Sequence, residues 1–247
     1  MTDLHAVTWN LDGLDPEQVD PRTEAAIARL LADPPDVILL QEVTRRTWSA
    51  HLGPHLSHAG FTAAVVLPDD DEGYVEALLA GPGITLTGAT RTELVGTEQG
   101  RFLLLADATW GGVPIRLATA HLESGVPVAE VRQAQLAQVV HALAVGPPAV
   151  FGGDTNLRDV DVRAVPSAAA LIDAWVAAGA PPASRYTWDT QRCPNLRFRG
   201  PRARFDRFYL TPEWSVGSVE LIGDAVAPGV GLWPSDHAGV RLRARLG

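Results

Sequence analysis

Along the chain, apolar and β-branched residues gather into short runs separated by glycine, proline and clustered polar residues. Strands are predicted at Leu4 to Trp9, Val37 to Leu40, Phe61 to Leu67, Val75 to Ala80, Ile84 to Thr90, Phe102 to Thr109, Ile115 to Ala120, Ala149 to Phe151, Phe205 to Leu210, Val216 to Ile222 and Gly239 to Leu246. Three segments have helical character. One spans about Thr23 to Ala32 and stops before Pro34. A second spans about Val128 to Ala144, with Val128, Val131, Val139, Val140 and Leu143 on one face. The third spans Ala168 to Ala178 and ends at Gly179. Many strands with few helices predict helices covering a β core. The Pro/Gly clusters are short and scattered, so residues 1–247 are expected to form one domain.

One pattern recurs at the ends of these runs: the apolar stretch stops abruptly in residues suited to metal or phosphate. "TWNLDG" delivers Asn10 and Asp12, "LLQEV" Gln41 and Glu42, and "AHLES" His121, Glu123 and Ser124. "FGGDTNLRD" delivers Asp154, Asn156 and Arg158, "RFDRF" holds Asp206, and "PSDH" places Asp236 and His237 before the last strand. Singly each reads as a cap or a solvated turn. Six together predict strand ends that converge on one pocket.

Composition narrows the chemistry. A single cysteine, Cys193, excludes an internal disulfide and a cysteine-based metal site. The chain has no long uninterrupted apolar stretch and no signal-like start, so a cytoplasmic location without membrane contact is expected. The net charge is −9 and all 20 basic residues are arginine. Overall acidity argues against sequence-independent coating of nucleic acid, yet Arg192, Arg197, Arg199, Arg202, Arg204 and Arg207 form a local cationic segment that could hold phosphates. With hard oxygen donors at Glu42, the metal of choice is Mg²⁺, with Mn²⁺ as an alternative. Asp154 is the candidate to align and deprotonate an attacking water, and the histidines to donate to nonbridging phosphate oxygens. The predicted reaction is metal-assisted phosphodiester hydrolysis.

The series "TWN", "LQE", "HLES", "GDTNLRD", "RFDR" and "SDH", in this order, resembles the endonuclease/exonuclease/phosphatase superfamily. "TWNLDGLD", "EGY" (Glu72 to Tyr74), "YTWDTQ" and "PSDH" make it more similar to the tyrosyl-DNA phosphodiesterase 2 branch. The resemblance implies an α/β (α+β) fold of the deoxyribonuclease I type: a four-layer sandwich of two packed mixed sheets flanked by helices. It implies Glu42 as principal Mg²⁺ ligand with Asp12 nearby, Asn10 and Asn156 orienting phosphate and water, and Asp154 positioning the nucleophile. It further implies His237 on the phosphate, held in its tautomer by Asp206, with Asp236 beside the metal-bound water. His121 and Ser124 would bracket the phosphate, and Tyr74, Arg158, Trp188 and Phe205 would wall the pocket for a DNA 5′ end and its adduct. The implied reaction cleaves a 5′-phosphotyrosyl bond on single-stranded or overhanging DNA, and a monomer is expected. A phenol, with pKa near 10, leaves with less protonic help than an alkoxide, so one metal ion suffices.

Val126 stands where this branch has an arginine, and Ala238 where it tends to carry a bulky aromatic residue. Arg199 and Arg202 are expected to supply the missing grip on phosphates. A broader nuclease or phosphatase of the same superfamily, and a non-catalytic nucleic-acid-binding module, are the alternative readings. His51, His55 and His58 are expected at the surface because Gly53-Pro54 should interrupt any helix aligning the first two. The acidic run Asp69 to Glu72 reads as a solvated loop, and Trp9, Trp48, Trp175 and Trp214 as packing residues.

Overall fold

The computed structural model describes residues 3–67, 73–125 and 127–247. Two six-stranded sheets pack face to face. The first runs, in spatial order, β13 (Trp214–Ile222), β14 (Gly239–Leu246), β1 (Leu4–Asn10), β2 (Val37–Thr44), β4 (Tyr74–Ala80) and β3 (Thr62–Val65). The second runs β5 (Ile84–Glu93), β6 (Phe102–Trp110), β7 (Val113–Ala120), β8 (Ala149–Asp154), β12 (Asp206–Leu210) and β9 (Ile172–Asp173). A small ribbon joins β10 (Trp188–Asp189) to β11 (Arg202–Ala203). Within the two sheets, β1 with β2 and β7 with β8 pair in parallel and the other strand pairs are antiparallel. A parallel pair needs a crossover, which α1 (Val19–Leu31) supplies in the first sheet and a long helix at Ala129–Leu143 in the second. The mixed sheets flanked by helices are those the motifs predicted.

This topology positions the site. The carboxyl ends of both parallel pairs lie at the same edge of the sandwich, and there β1 ends in Asn10, β2 reaches Glu42, β7 runs into His121 and β8 ends in Asp154. Antiparallel β12 sets Asp206 directly opposite Asp154. Close contacts on two sides explain the two glycines before Asp154: Gly152 faces the first sheet, and Gly153 lies against the backbone at the end of the neighbouring β7. A β-carbon on Gly152 would stand 2.7 Å from Phe208, 2.8 Å from Leu39 and 2.9 Å from Thr8, and one on Gly153 would collide with the Ala120 carbonyl. The strand therefore continues through the glycines to Asp154, three residues past its predicted end at Phe151.

Buried side chains such as Leu39, Leu104, Leu117, Val150 and Phe208 fill the space between the sheets; Val7 and Trp9, on the opposite face of β1, and Trp214 are buried as well, and Trp48 and Trp175 are half-buried against the same core. A second cluster, including Leu136, Val139, Phe151 and Leu157, packs the long helix on the outer face of the second sheet. Gln41, predicted at the site beside Glu42, is instead fully buried. Its amide donates to Thr8 Oγ1 (3.1 Å) and Thr119 Oγ1 (2.8 Å), bracing one sheet against the other. No helix among the described residues is long and apolar enough to cross a membrane.

The predicted helix over Ala168 to Ala178 is corrected. Residues Pro166–Ala170 form a 3₁₀ turn, Ile172–Asp173 extend to pair with β12, and a single turn follows at Ala174–Ala177. Asp173 imposes the break. Its carboxylate accepts from the Trp175 and Val176 amides and binds both Arg204 (2.8 Å) and Arg207 (3.4 Å), which also reach Asp159 at 2.9 Å. The expected interruption at Gly53-Pro54 is corrected too. A π turn at Trp48–Leu52 passes directly into α2 (Gly53–His58), and Pro54 sits in its first turn, where an amide hydrogen is not required. His51 binds Asp20 and Glu24 on α1, and His55 Nδ1 lies 2.8 Å from the His51 carbonyl. The acidic run from Asp69, including Glu72 of the "EGY" motif, and Val126 lie outside the described residues.

Candidate active site

Asp154 is the hub of the sheet edge. Buried at the end of β8, it takes hydrogen bonds from the Asn10 side-chain amide (3.0 Å) and the Asn156 backbone amide (2.9 Å). His121 Nε2 lies 3.4 Å and His237 Nε2 3.8 Å from its Oδ2. The Asn10 amide also reaches Glu42 Oε1 at 3.1 Å, so one neutral donor ties two carboxylates from different sheets. His237 Nδ1 is 2.7 Å from Asp206 Oδ2, and its Nε2 is 3.9 Å from Asp236.

Local backbone geometry delivers these groups. Pairing of β2 with β4 slips between Leu40 and Val43, and Glu42 occupies the irregularity with φ 55°. Asp12 (φ 49°) and Asn156 (φ 50°) are likewise left-handed, a conformation L-residues seldom adopt and one concentrated at functional sites. Gly13 makes room for the bulge, since a β-carbon there would strike the Glu42 carbonyl. Arg22, fully buried on α1, clamps the Asp12 loop by donating to the Asp12 carboxylate (3.2 Å) and to the carbonyls of Asp12, Asp15 and Glu17.

The electrostatics are lopsided toward negative charge. Burial first, then Asp236, pushes the Asp12 carboxyl up to about 8, against the opposing pull of Arg22. Burial likewise pushes Glu42 up to about 7, with Asp236 and Asp154 adding to it and Asn10 working against it. Burial would raise Asp154 too, but His121, His237 and Asn10 hold it below the usual carboxylate range. Burial lowers His121 to about 3, so its ring is neutral and acts on Asp154 as an N–H dipole. For His237, burial opposes the charge, yet Asp206, Asp236 and Asp154 together hold its pKa well above the ordinary histidine value.

Carboxylates that raise one another's pKa form a donor set that a hard divalent cation would relieve, and Glu42 with Asp12 fits that demand. The tightest ligand-type trio among the described residues is a different one, Asp154, Asp206 and His237, with donor atoms within 4.8 Å of one another. We read that trio as a proton-holding relay, because His237 Nδ1 and Asp206 are already spent on each other at 2.7 Å.

Aromatic rings pack around the two histidines. Trp188 and Phe205 have ring centres 5.7 Å apart, Phe205 lies 6.4 Å from the His237 ring, and the Trp188 indole donates to Asp236 at 3.4 Å. Tyr74 covers His121 at 5.7 Å. Ser124 joins through Arg101, whose guanidinium donates to Ser124 Oγ (3.3 Å) and His121 Nδ1 (2.8 Å). Arg158, four residues beyond Asp154, is exposed and paired with Asp161 at 2.9 Å. Glu123, another strand-end acid, is buried and holds the Thr97–Gln99 loop by accepting from Thr97 Oγ1 and the Glu98 and Gln99 amides.

Two residues near the site are not marked by the strand-end pattern. Arg101 fixes His121 as the tautomer that carries its proton on Nε2, and it lies 5.0 Å from the Tyr74 ring centre. Glu76, fully buried, accepts from the His121 amide at 3.1 Å. Neither belongs to a polar strand end. Glu76 does interrupt the apolar run of β4, and a carboxylate in an otherwise buried strand is the signal that could have found it.

A four-layer sandwich with a cluster of carboxylates and imidazoles at the shared carboxyl edge of its parallel strands defines the class. The chain belongs to the Endonuclease/Exonuclease/phosphatase family, whose model matches residues 7–237. Among its relatives, tyrosyl-DNA phosphodiesterase 2 of Gallus gallus is 33% identical over 253 residues, covering 96% of this chain and 65% of that protein. The Xenopus laevis protein of the same name is 32% identical over 244 residues, covering 95% and 64%. The crystal structure of D. rerio TDP2 complexed with single-strand DNA product matches with a TM-score of 0.90 at 29% identity, over 99% of this chain and 100% of that one. The chain spans just under two thirds of the length of the Gallus and Xenopus relatives.

Proposed function

We propose that this protein is a Mg²⁺-dependent phosphodiesterase that hydrolyses the bond between a tyrosine phenolic oxygen and a DNA 5′ phosphate, acting as a monomer on single-stranded or overhanging ends. The observation that carries the reading is the convergence on Asp154 of an amide, two imidazoles and a second carboxylate from four other strand ends. The names of the Gallus and Xenopus relatives support the choice of substrate.

In this reading Asp154 accepts the proton of the attacking water, and Asn10 and the Asn156 backbone amide fix the carboxylate's orientation. His237 donates from Nε2 to a nonbridging phosphate oxygen, its Nδ1–H held by buried Asp206. His121 donates from Nε2 on the other side, because Arg101 occupies Nδ1. Tyr74, Trp188 and Phe205 receive the strand end and adduct. Glu42 and Asp12 would hold the divalent cation, which when bound polarises the phosphoryl group and steadies the departing oxygen. A phenolate, with pKa near 10, departs without a dedicated general acid.

Purified protein offered 5′-phosphotyrosyl oligonucleotide, abasic duplex and p-nitrophenyl thymidine 5′-phosphate in Mg²⁺ should release tyrosine from the first and p-nitrophenol from the third, each nucleotide keeping its 5′ phosphate, and leave the abasic strand intact. Asp154→Ala should abolish that release. Full turnover by Asp154→Ala, or preferential cleavage of abasic DNA, would overturn the reading.

A further inference from the structure

Behind the ribbon that carries Trp188 lies a cavity of about 340 Å³ walled by arginines. The guanidiniums of Arg202 and Arg185 lie 4.1 Å and 5.2 Å from the ring centre of Tyr186. Arg192 closes a third side, tethered to Asp224 at 3.1 Å and lying 5.5 Å from the Trp233 ring centre. Asp189 lines the cavity as well, buried and 3.6 Å from Arg202. Three cations thus face two carboxylates, and among the described residues Arg185 has no carboxylate partner. In a chain of net charge −9 this surplus is a local feature.

Two guanidiniums on one ring repel each other, and an anion between them would relieve the repulsion. The tyrosine also holds both planar forks in place before any ligand arrives, so little side-chain freedom is lost on binding. The cavity is close to the aromatic wall in sequence and register. Asp189 pairs with Arg202 across the ribbon, and the preceding pair is Trp188 with Ala203, Trp188 also bridging to His237.

We infer that Arg185, Arg192 and Arg202 around Tyr186 form a second phosphate site, which takes a backbone phosphate of a single-stranded nucleic acid whose 5′ end occupies the Asp154 pocket. The inference rests on the proposed function for the identity of the strand. A cationic groove beside stacking aromatics is how single strands are held without regard to sequence. Free phosphate would satisfy the same chemistry, so the test separates the two sources.

The probes are a 5′-phosphorylated thymidine oligonucleotide of about eight nucleotides, the corresponding dinucleotide, and inorganic phosphate, with binding followed by fluorescence anisotropy and competition in Mg²⁺ over a salt series. For the double variant Arg185→Gln/Arg202→Gln, affinity for the longer strand should fall about tenfold. The slope of log affinity against log salt should flatten by about 0.7 for each phosphate no longer neutralised. Dinucleotide affinity and turnover of p-nitrophenyl thymidine 5′-phosphate should match the parent. The charge-conserving Arg185→Lys/Arg202→Lys variant should recover the salt slope, which separates a missing charge from a disturbed fold. Equal loss for both strand lengths, or no change in either, overturns the site. Displacement by millimolar inorganic phosphate of a signal that is insensitive to strand length reassigns it to a free anion and overturns the strand. Should the parent cleave no phosphotyrosyl ester while the length-dependent pattern holds, the function falls and the phosphate site stands.

Discussion

Asp206→Asn tests the relay with little steric change. Asp206 is buried opposite Asp154, and its Oδ2 accepts from His237 Nδ1 at 2.7 Å. Asparagine keeps the shape and removes the charge. At minimum the change turns a charge-assisted hydrogen bond into a neutral one, a difference of about 1.5 kcal/mol, or roughly tenfold. If the amide nitrogen turns toward the ring, Nδ1 must accept and His237 becomes a neutral imidazole that keeps its Nε2 hydrogen but loses its charge; if the amide oxygen stays on Nδ1–H, the ring without its carboxylate gives up the Nε2 proton more readily and loses that donor. We expect a fall in kcat between about tenfold, for the weakened hydrogen bond alone, and about 10³, for loss of the Nε2 donor to the phosphate. The pH profile carries a second signature. Burial opposes the His237 charge while Asp206, Asp236 and Asp154 raise its pKa well above 6.5, so removing Asp206 lowers it and the alkaline limb of activity moves to lower pH. Hydrolysis of p-nitrophenyl thymidine 5′-phosphate across the pH range, with circular dichroism to check folding, reads both effects. Parental kcat with an unmoved alkaline limb would refute the relay.

Asn10→Ala removes the donor shared by Glu42 and Asp154, at 3.1 and 3.0 Å, and should lower kcat about 10²-fold and stability by about 1 to 3 kcal/mol, measured by steady-state kinetics and calorimetry. Glu76→Gln should change how stability depends on pH. Burial pushes Glu76 from 4.5 up to about 8, so its contribution to stability is fully present below pH 4.5 and falls by on the order of 3 to 5 kcal/mol as pH rises toward 8. The variant should lack that loss in urea denaturation at pH 5 and pH 8. Asp173→Ala leaves Arg204 and Arg207 with Asp159 as their one shared carboxylate and uncaps the Ala174 turn, and should cost about 2 to 4 kcal/mol in the same assay. Chelation of divalent cations should weaken binding of a 5′-phosphorylated oligonucleotide as well as stop turnover, because Asp12, Glu42 and Asp236 then repel the phosphate; equal anisotropy titrations with and without chelator would contradict this.

The pattern of apolar runs located eleven strands, and the polar residues that ended them supplied nearly the whole cluster. A strand's last residues are set by local sequence, and the edge where the parallel pairs end gathers them. What the pattern missed depends on distant partners. "VILLQEV" gives no hint that Gln41 turns inward to Thr119 on the other sheet while Glu42 turns outward on a left-handed backbone. The arginine segment looked like a free cationic strip. In the structure Arg204 and Arg207 are buried on Asp159 and Asp173, Arg197 pairs with Glu17, and Arg199 donates to the Thr190 carbonyl. Those acids lie far away in sequence, so counting charges within the segment overstated what it offers to phosphate. The helix over Ala168 to Ala178 failed for the same reason: alanine favours a helix locally, but Asp173 gains more from two guanidiniums and a strand pairing.

The site concentrates features that each oppose folding. Asp12, Glu42 and Asn156 adopt left-handed backbone, and burial presses Asp12 and Glu42 toward their neutral forms. The surrounding structure over-determines them. Arg22 holds the Asp12 loop at four acceptors, Gln41 locks the sheets together one residue before Glu42, and Gly152 lets the second sheet approach closely enough for Asn10 to span both carboxylates. These braces are buried and carry no reaction chemistry, yet they determine whether a cation and a phosphorus atom can meet. A pocket built this way favours cation binding because its carboxylates are already crowded. The cost of that crowding is met when the chain folds, before any substrate arrives.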